Sequence, residues 1–439
     1  MSSTSVGRPS YAAVLHIPYA RRTFAAALLG RLSYGIVPLS VMLAVTRASG
    51  SYAVAGTVMA LFGGTSVFLS PARAALIDRH GPRRALAPMV TVYAALLALL
   101  TALVQRPGAA SPLVLGAVTA AAGACTPPLG PTMRAVWGQL APDRALLQRA
   151  YSLDGVAEEL LFVSGPLLVG VLVGVAPPTV GIVAGTCLIV AGTAAFTASP
   201  AVRAVRPAER ETPQRGGARG ASAPGWLRGL LAGRRSAGRG VLRGILQPVV
   251  AAAGVGLTLG AVDLVVVAFA EQRHYGDDAV AWTLAALSGG SAVGGLLNGA
   301  VAWRTAARVR LPLTVAGLGL ALLGAGLAPG LGTLAAALAA AGFFVAPALT
   351  TAYLIADDTA APQAGVRAGA WVNTGVNAGG TAGAAGAGLL VGGMPTALCF
   401  AAAGAAALLT ALATARGARV RSAPRAVPER VGEEAVPAA

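Results

Sequence analysis

A single polar interruption divides this chain of 439 residues into two long apolar halves. Residues 199–243 are rich in Gly, Pro and Ser, and they carry many arginines against only two acids, Glu209 and Glu211. A segment of this composition cannot bury a core, so we predict that it is a solvated linker. Because short loops dense in arginine stay on the cytoplasmic side of a membrane, both halves are predicted to begin and end on that side.

The composition of the whole chain indicates a membrane protein. It is 56% hydrophobic and only 11% charged, with a mean hydropathy of +0.70, whereas about a quarter of the residues in a soluble domain are charged. The net charge of +17 and the pI of 11.3 would suggest nucleic acid as the partner of a soluble protein. Here the arginines lie between apolar runs, so we expect the anionic partner to be lipid headgroups of the bilayer, and no nucleic acid.

The few cysteines and histidines do not form a metal-binding pattern. Cys125, Cys187 and Cys399 all lie inside apolar runs, and the histidines are scattered along the chain. Cysteines in such positions pack as small core residues. We therefore expect no metal site and no cofactor.

Runs of about 20 apolar residues are long enough to cross a bilayer as helices. We therefore predict an all-α integral membrane fold, with twelve transmembrane helices in two six-helix bundles. The predicted spans are 24–46, 52–72, 85–105, 112–134, 151–175, 178–199, 245–270, 279–302, 311–328, 332–355, 369–392 and 395–415. The corresponding domains are a leader (1–23), a first bundle (24–199), a basic cytoplasmic linker (200–244), a second bundle (245–415) and a cytoplasmic tail (416–439).

The arginines between the spans give an independent test of this topology. Arg47, Arg106 and Arg273 are the only ones that fall in predicted outer loops, and the others, including Arg73, fall inside. This asymmetry predicts a multi-pass protein of the cytoplasmic (inner) membrane with both termini in the cytoplasm. Within the linker, the apolar and basic residues of 226–235 fit either a short helix lying on the inner leaflet or plain disorder.

The two halves resemble each other in the placement of polar residues. Asp154 and Glu158 stand four residues apart in the fifth span, and Asn373 and Asn377 do so in the eleventh, so each pair shares a helical face. Two six-helix repeats are typical of a rocking transporter whose substrate site lies between the repeats.

The loop between the second and third spans, AALIDRHGPRR at 74–84, resembles the signature loop of the major facilitator superfamily. That loop reads glycine-x-leucine-x-aspartate-arginine-x-glycine followed by basic residues, and here alanine replaces its first glycine. The resemblance implies a latch that joins the two halves in the outward-open state, with Asp78 accepting hydrogen bonds from a helix N-terminus of the other half. The residues to which this role would pass are Asp78, Arg79, Gly81, Arg83 and Arg84. The alternative is a generic basic loop that only sets topology.

The corresponding loop of the second half, 299–308, has Trp303 where the acid would stand, so only the first latch is expected to be complete.

Gly165 and Pro166 in the fifth span resemble the glycine-proline motif of drug and proton antiporters in this superfamily, which kinks the helix and seals a proton leak. This resemblance favours export, although proline kinks are common in membrane helices.

Ionisable residues within the predicted spans are the remaining functional signal, because each is costly in a bilayer unless it is paired or hydrated. Arg31 and Glu158 each lie nine residues beyond an arginine at the inner end of their helices, or about 13 Å. We therefore predict that they form a buried pair, with adjacency of the first and fifth helices implied by the family resemblance. Asp263 is predicted near the midplane, where it would carry protons or bind substrate. The candidate residues for protons and substrate are Arg31, Arg134, Asp154, Glu158, Glu159 and Asp263.

These features together predict a secondary transporter, acting as a monomer, that moves a small molecule by alternating access. Proton-coupled export is the favoured version and proton-coupled import is the alternative. A second alternative is a membrane sensor or scaffold that does not transport; a broken latch loop and the absence of buried charges would favour it, and the sequence has neither feature. The buried charges themselves could also form an ion-pair network that only holds helices together. No enzyme is expected, because no nucleophile with a base, no metal cluster and no phosphate-binding loop is found in the sequence.

Overall fold

The computed structural model describes residues 10–106, 110–204, 225–361 and 364–419. Within these ranges the chain forms α-helices and no strands. The helices are α1 (Tyr11–His16), α2 (Ala20–Ser49), α3 (Tyr52–Phe68), α4 (Ser70–His80), α5 (Pro82–Val104), α6 (Pro112–Cys125), α7 (Leu129–Leu140), α8 (Arg144–Val175), α9 (Pro178–Ala198), α10 (Pro200–Arg203), α11 (Gly225–Gln272), α12 (Asp277–Ala300), α13 (Ala307–Ala325), α14 (Leu331–Thr359), α15 (Gly365–Val391) and α16 (Thr396–Arg419).

Each predicted span falls on one helix or on one broken pair of helices. The described ranges contain ten candidate membrane spans, of which nine are single helices and one, Pro112–Leu140, comprises α6 and α7; the pair α3 and α4 adds an eleventh. The remaining long helix, α15, is not among them, because its many glycines, its asparagines and Arg367 lower its mean hydropathy. In lipid, a helix satisfies every backbone polar group within the segment, so this all-helical fold follows directly from the apolar runs.

Two of the predicted spans are broken, which the sequence analysis did not predict. The helices α3 and α4 meet at Leu69 with a bend of 41°, and Pro127 and Pro128 end α6 and precede α7. Arg73 donates from Nη1 to the carbonyl oxygens of Gly123 and Ala124 at the end of α6, at 3.0 and 3.1 Å. The placement of Arg73 in an inner loop was therefore wrong: it is a buried cap of a broken helix, and it binds the carbonyls that the break exposes.

The boundaries of the leader, linker and tail differ from the prediction. The leader contains the short helix α1, and α2 begins at Ala20. The helix of the seventh span begins at Gly225, well before residue 245, so segment 226–235 is helical while its position on a leaflet stays a prediction. Residues 205–224 of the linker and 420–439 of the tail lie outside the described residues.

Small residues let the helices of each half approach closely. In the second half, Gly375, Gly379 and Gly383 face backbone oxygens of α11, and a Cβ atom on Gly379 would lie 2.0 Å from the oxygen of Ala253. These three glycines therefore form a packing surface on which α15 approaches α11 closely. In the first half, Gly30 of α2 and Gly192 of α9 approach in the same way.

The two halves, α2–α9 and α11–α16, meet through α8 against α12 and α14, and through α4 and α7 against α15. Short connections reverse the chain direction between successive long helices, so the ends near residues 80, 144, 300 and 365 lie together. We call this end of the bundle the basic end, because it carries Arg79, Arg83, Arg144, Arg304 and Arg367. It is also the end at which both termini of the described chain lie.

Candidate functional site

Four charged side chains form a closed ion-pair network between α2, α7 and α8. Arg31 contacts Asp154 through Nη1 and Oδ1 at 2.6 Å, and Glu158 through Nη2 and Oε1 at 3.1 Å. Arg134 contacts Asp154 through Nε and Oδ2 at 2.8 Å, and its Nη2 donates to Oε2 of Glu158. We call these four residues the charge network; two cations balance two carboxylates in it.

The predicted contact between Arg31 and Glu158 is therefore present. Arg134 is also a full member of the network, so that two arginines balance Asp154 and Glu158. The side chains of three members are almost fully buried, whereas 28% of the Glu158 side chain is exposed. Glu158 is consequently the most exposed member of the network.

The break between α6 and α7 positions Arg134. Tyr34 of α2 holds this break: its hydroxyl donates to the carbonyl of Pro127 and accepts from the backbone N–H of Leu129, the latter at 3.2 Å. Gly130 follows, and a Cβ atom there would lie 3.8 Å from Nε of Arg31, in ordinary van der Waals contact. On its other side, the Arg134 guanidinium lies 3.9 Å from the ring centroid of Tyr353, in the second half.

A cavity of about 350 Å³ lies between the halves, beside the charge network. Polar groups from both halves line it, among them Glu158 and Glu159 of α8, Asp263 of α11, and Asn373 and Asn377 of α15. Most of the remaining lining is apolar. Its volume and mixed lining are typical of a small-molecule site.

Glu159 and Asp263 line this cavity without a cationic partner. Glu159 points away from Arg31, as its helical position predicts, and accepts a hydrogen bond from Ser291 Oγ at 2.9 Å. Asp263 is exposed to the cavity, and in the described part of the chain it forms no hydrogen bond or ion pair. These two acids therefore add negative charge that the charge network does not balance.

The signature loop joins the halves at the basic end. Asp78 accepts hydrogen bonds from the backbone N–H groups of Val366 and Arg367, at 3.2 and 3.0 Å, in the first turn of α15. A carboxylate is favourable there because a helix N-terminus has unpaired donors and a positive dipole end. Gly81 has φ +82°, which glycine adopts without strain. Arg79, Arg83 and Arg84 are exposed, and in the described structure their side chains form no hydrogen bond or ion pair across the halves.

A second closure at the basic end uses different chemistry. Gln148 of α8 donates from Nε2 to the carbonyl oxygen of Asn298, at 2.5 Å, and Trp303 Nε1 donates to the same oxygen at 3.0 Å. Arg310 contacts Gln148 Oε1 at 3.2 Å and stacks on the Trp303 ring. Trp303, which stands where the acid of a second latch would be, therefore takes part in a closure of a different kind. The second half presents a helix C-terminus, whose carbonyls require donors rather than an acid.

Two further contacts cross the halves at this end. Arg144 forms a bidentate ion pair with Asp358 at the end of α14, with both distances 2.6 Å. In the leader, the Tyr11 hydroxyl donates to the carbonyl oxygen of Leu296 at 2.5 Å. Sequence reasoning missed Tyr11, Gln148 and Arg310, because none of them belongs to a known charge pattern.

The glycine-proline pair lies where α8 crosses α2. A Cβ atom on Gly165 would lie 2.5 Å from the Cα atom of Gly35, so the glycine permits close packing of the two helices. The helix continues through Pro166. The contact supports a packing role, and the antiporter-like role of this pair stays a prediction.

This arrangement defines a class: a membrane transporter whose two helical halves enclose a polar cavity and are joined at one end. Residues 23–331 match the family model of the Major Facilitator Superfamily. The chain belongs to this superfamily.

Solved structures with the same fold support this assignment. The human organic anion transporter MFSD10 (TETRAN) superposes with a TM-score of 0.68 at 16% identity, over 92% of this chain and 100% of that one. A bacterial homologue of the iron transporter ferroportin, in its outward-facing state, superposes with a TM-score of 0.67 at 13% identity, over 91% of this chain and 98% of that one. At these identities the likeness shows the fold alone. No curated protein matches the sequence.

Proposed function

We propose that this chain is a proton-coupled exporter of a small molecule in the cytoplasmic membrane, and that it works by alternating access. The observation that carries this proposal is the charge network. A neutral set of two arginines and two carboxylates lies beside the cavity between the halves, and Glu158 is the one of its two carboxylates that lines the cavity. Such buried groups are costly in a membrane, and they mark proton and substrate pathways.

The distribution of arginine supports a cytoplasmic position for the basic end. In the described ranges, the hydrogen bonds and ion pairs between the halves lie between this end and the level of the cavity. With the basic end in the cytoplasm, the structure corresponds to an outward-facing state. The cavity then receives protons from outside while Asp78, Gln148 and Arg144 hold the inner side closed.

Protonation of Glu158 changes the charge balance of the network. With Glu158 neutral, Arg31 and Arg134 face only Asp154, and one positive charge in the network is uncompensated. An uncompensated buried charge is unfavourable by several kcal/mol, so the arrangement of α7 and α8 that suits ionised Glu158 no longer suits the protonated form. The contact of Arg134 with Tyr353 transmits this change to the second half. Protons moving inward would in this way drive substrate outward, and the resemblance of Gly165 and Pro166 to antiporters favours this direction.

Transport of a compound panel in inverted vesicles, with and without a proton gradient, tests the proposal. We expect gradient-driven uptake into the vesicles by the wild-type chain. Glu158→Gln should abolish the gradient dependence and retain substrate exchange, because a neutral side chain still fits the site but carries no proton. Glu271→Gln, an exposed acid on α11, is the control and should behave as wild type. Full gradient dependence in Glu158→Gln would refute the role of the network.

A further inference from the structure

The charges of the central cavity define the class of substrate. We infer that the substrate is an organic cation, held between Glu159 of the first half and Asp263 of the second. This inference rests on the proposed function, since it assigns the ligand of the same cavity. The cavity provides the site, and the two acids determine the sign of the charge it accepts.

The charge balance around the cavity favours a cation. Arg134 and Glu158 line it, but both are engaged within the neutral charge network. Glu159 has only the hydroxyl of Ser291 as a partner, and Asp263 has no hydrogen bond or ion pair within the described ranges. The cavity consequently has a surplus of two carboxylates and no free cation among its described lining residues. An anionic substrate would be repelled there, whereas a cation supplies the missing counter-charge.

The two acids belong to opposite halves of the transporter. Glu159 belongs to α8 and Asp263 to α11, so a cation between them contacts both halves of the transporter. A ligand shifts a conformational equilibrium only through contacts that differ between the states. A cation that joins two acids from opposite halves meets this requirement, because their separation changes when the halves rock.

The residues that line the cavity suit an organic cation better than a metal ion. In the ranges that the structure describes, no group of three or more His, Cys, Asp or Glu side chains is placed to hold a metal. Much of the cavity lining is instead apolar, including Leu259, Leu349 and Phe162. Phe162 is three residues beyond Glu159 on the same helical face, where its ring can stack on a cationic group or an apolar body. This lining suits an amine or quaternary ammonium with a hydrocarbon part.

Binding of two probes of opposite charge to the purified full-length chain in detergent tests this inference by calorimetry. We expect saturable binding of benzyltrimethylammonium and none of benzenesulfonate. Glu159→Gln and Asp263→Asn should each weaken cation binding about tenfold, which corresponds to about 1.4 kcal/mol. The charge-preserving variants Glu159→Asp and Asp263→Glu should retain most of the affinity, and Glu271→Gln should retain all of it.

Three results would overturn the inference: binding of benzenesulfonate at least as tight as that of the cation, no binding of the cation by the wild-type chain, or wild-type affinity in both neutralised variants. The measurement uses no gradient, so loss of proton coupling leaves it unaffected. Retained cation binding together with gradient dependence in Glu158→Gln would contradict the proposed coupling alone. Failure of cation binding with intact coupling would contradict the substrate class alone.

Discussion

Replacing Arg31 by methionine tests how strongly the charge network stabilises the first half. The substitution keeps most of the side-chain volume and removes two ion pairs, at 2.6 Å to Asp154 and 3.1 Å to Glu158. Loss of one partner of a buried pair costs about 3–5 kcal/mol. Because Arg134 still contacts both carboxylates, we expect the lower limit, about 3 kcal/mol of unfolding free energy.

The assay is unfolding of the purified chain by SDS titration, followed by circular dichroism. Adding Asp154→Asn to Arg31→Met restores a neutral network, so the double variant should be more stable than the sum of the two single effects by about 1–3 kcal/mol. Arg22→Met, at an exposed position on the same helix, should change stability by less than about 0.5 kcal/mol. Additive effects of Arg31→Met and Asp154→Asn would refute the description of the network as one coupled unit.

Three further predictions concern packing and closure. Asp78→Asn should lower transport while expression stays normal, because it removes the charge from the first turn of α15; Arg83→Gln should keep the wild-type rate, and equal rates in both variants would remove the latch role. Gly379→Ala brings a Cβ to 2.0 Å from a backbone oxygen of α11 and should lower the free energy of unfolding by about 1–3 kcal/mol. The Cβ of Gly386→Ala meets open space, so this variant should unfold with the wild-type free energy. Gln148→Leu removes the hydrogen bond to the carbonyl oxygen of Asn298 and should therefore increase amide hydrogen exchange at the start of α8. Unchanged exchange would show that this hydrogen bond does not help to hold the halves together.

The parts of the site that were predictable from the sequence depend on regular helix geometry. A constant rise per residue placed Arg31 and Glu158 at the same depth, and they are in contact. The family resemblance likewise implied that Asp78 would meet the N-terminus of a helix in the other half, and its carboxylate accepts hydrogen bonds from two N–H groups of α15. In both cases the chemistry of a helix was combined with neighbours that only the resemblance supplied.

The parts that were missed lie where that regularity ends. Arg134 follows the break at Pro127 and Pro128, so the constant rise of a straight helix does not give its depth relative to Asp154 and Glu158. The closure at Asn298 was missed for a chemical reason. The sequence was searched for an acidic residue, and an acid can close only against the N–H groups of a helix N-terminus. A helix C-terminus is closed by donors instead, here Gln148 and Trp303.

Distance measurement between spin labels at the basic end tests the central claim most directly, because it needs no substrate. Labels at 83 and 304 report the separation of the two halves, and labels at 83 and 203 report one half as a control. We predict that lowering the pH shifts the 83–304 distances in the wild-type chain and leaves them unchanged in Glu158→Gln, while the 83–203 distances stay constant in both. An equal shift of the 83–304 distances in wild type and Glu158→Gln would contradict the claim that protonation of Glu158 drives alternating access.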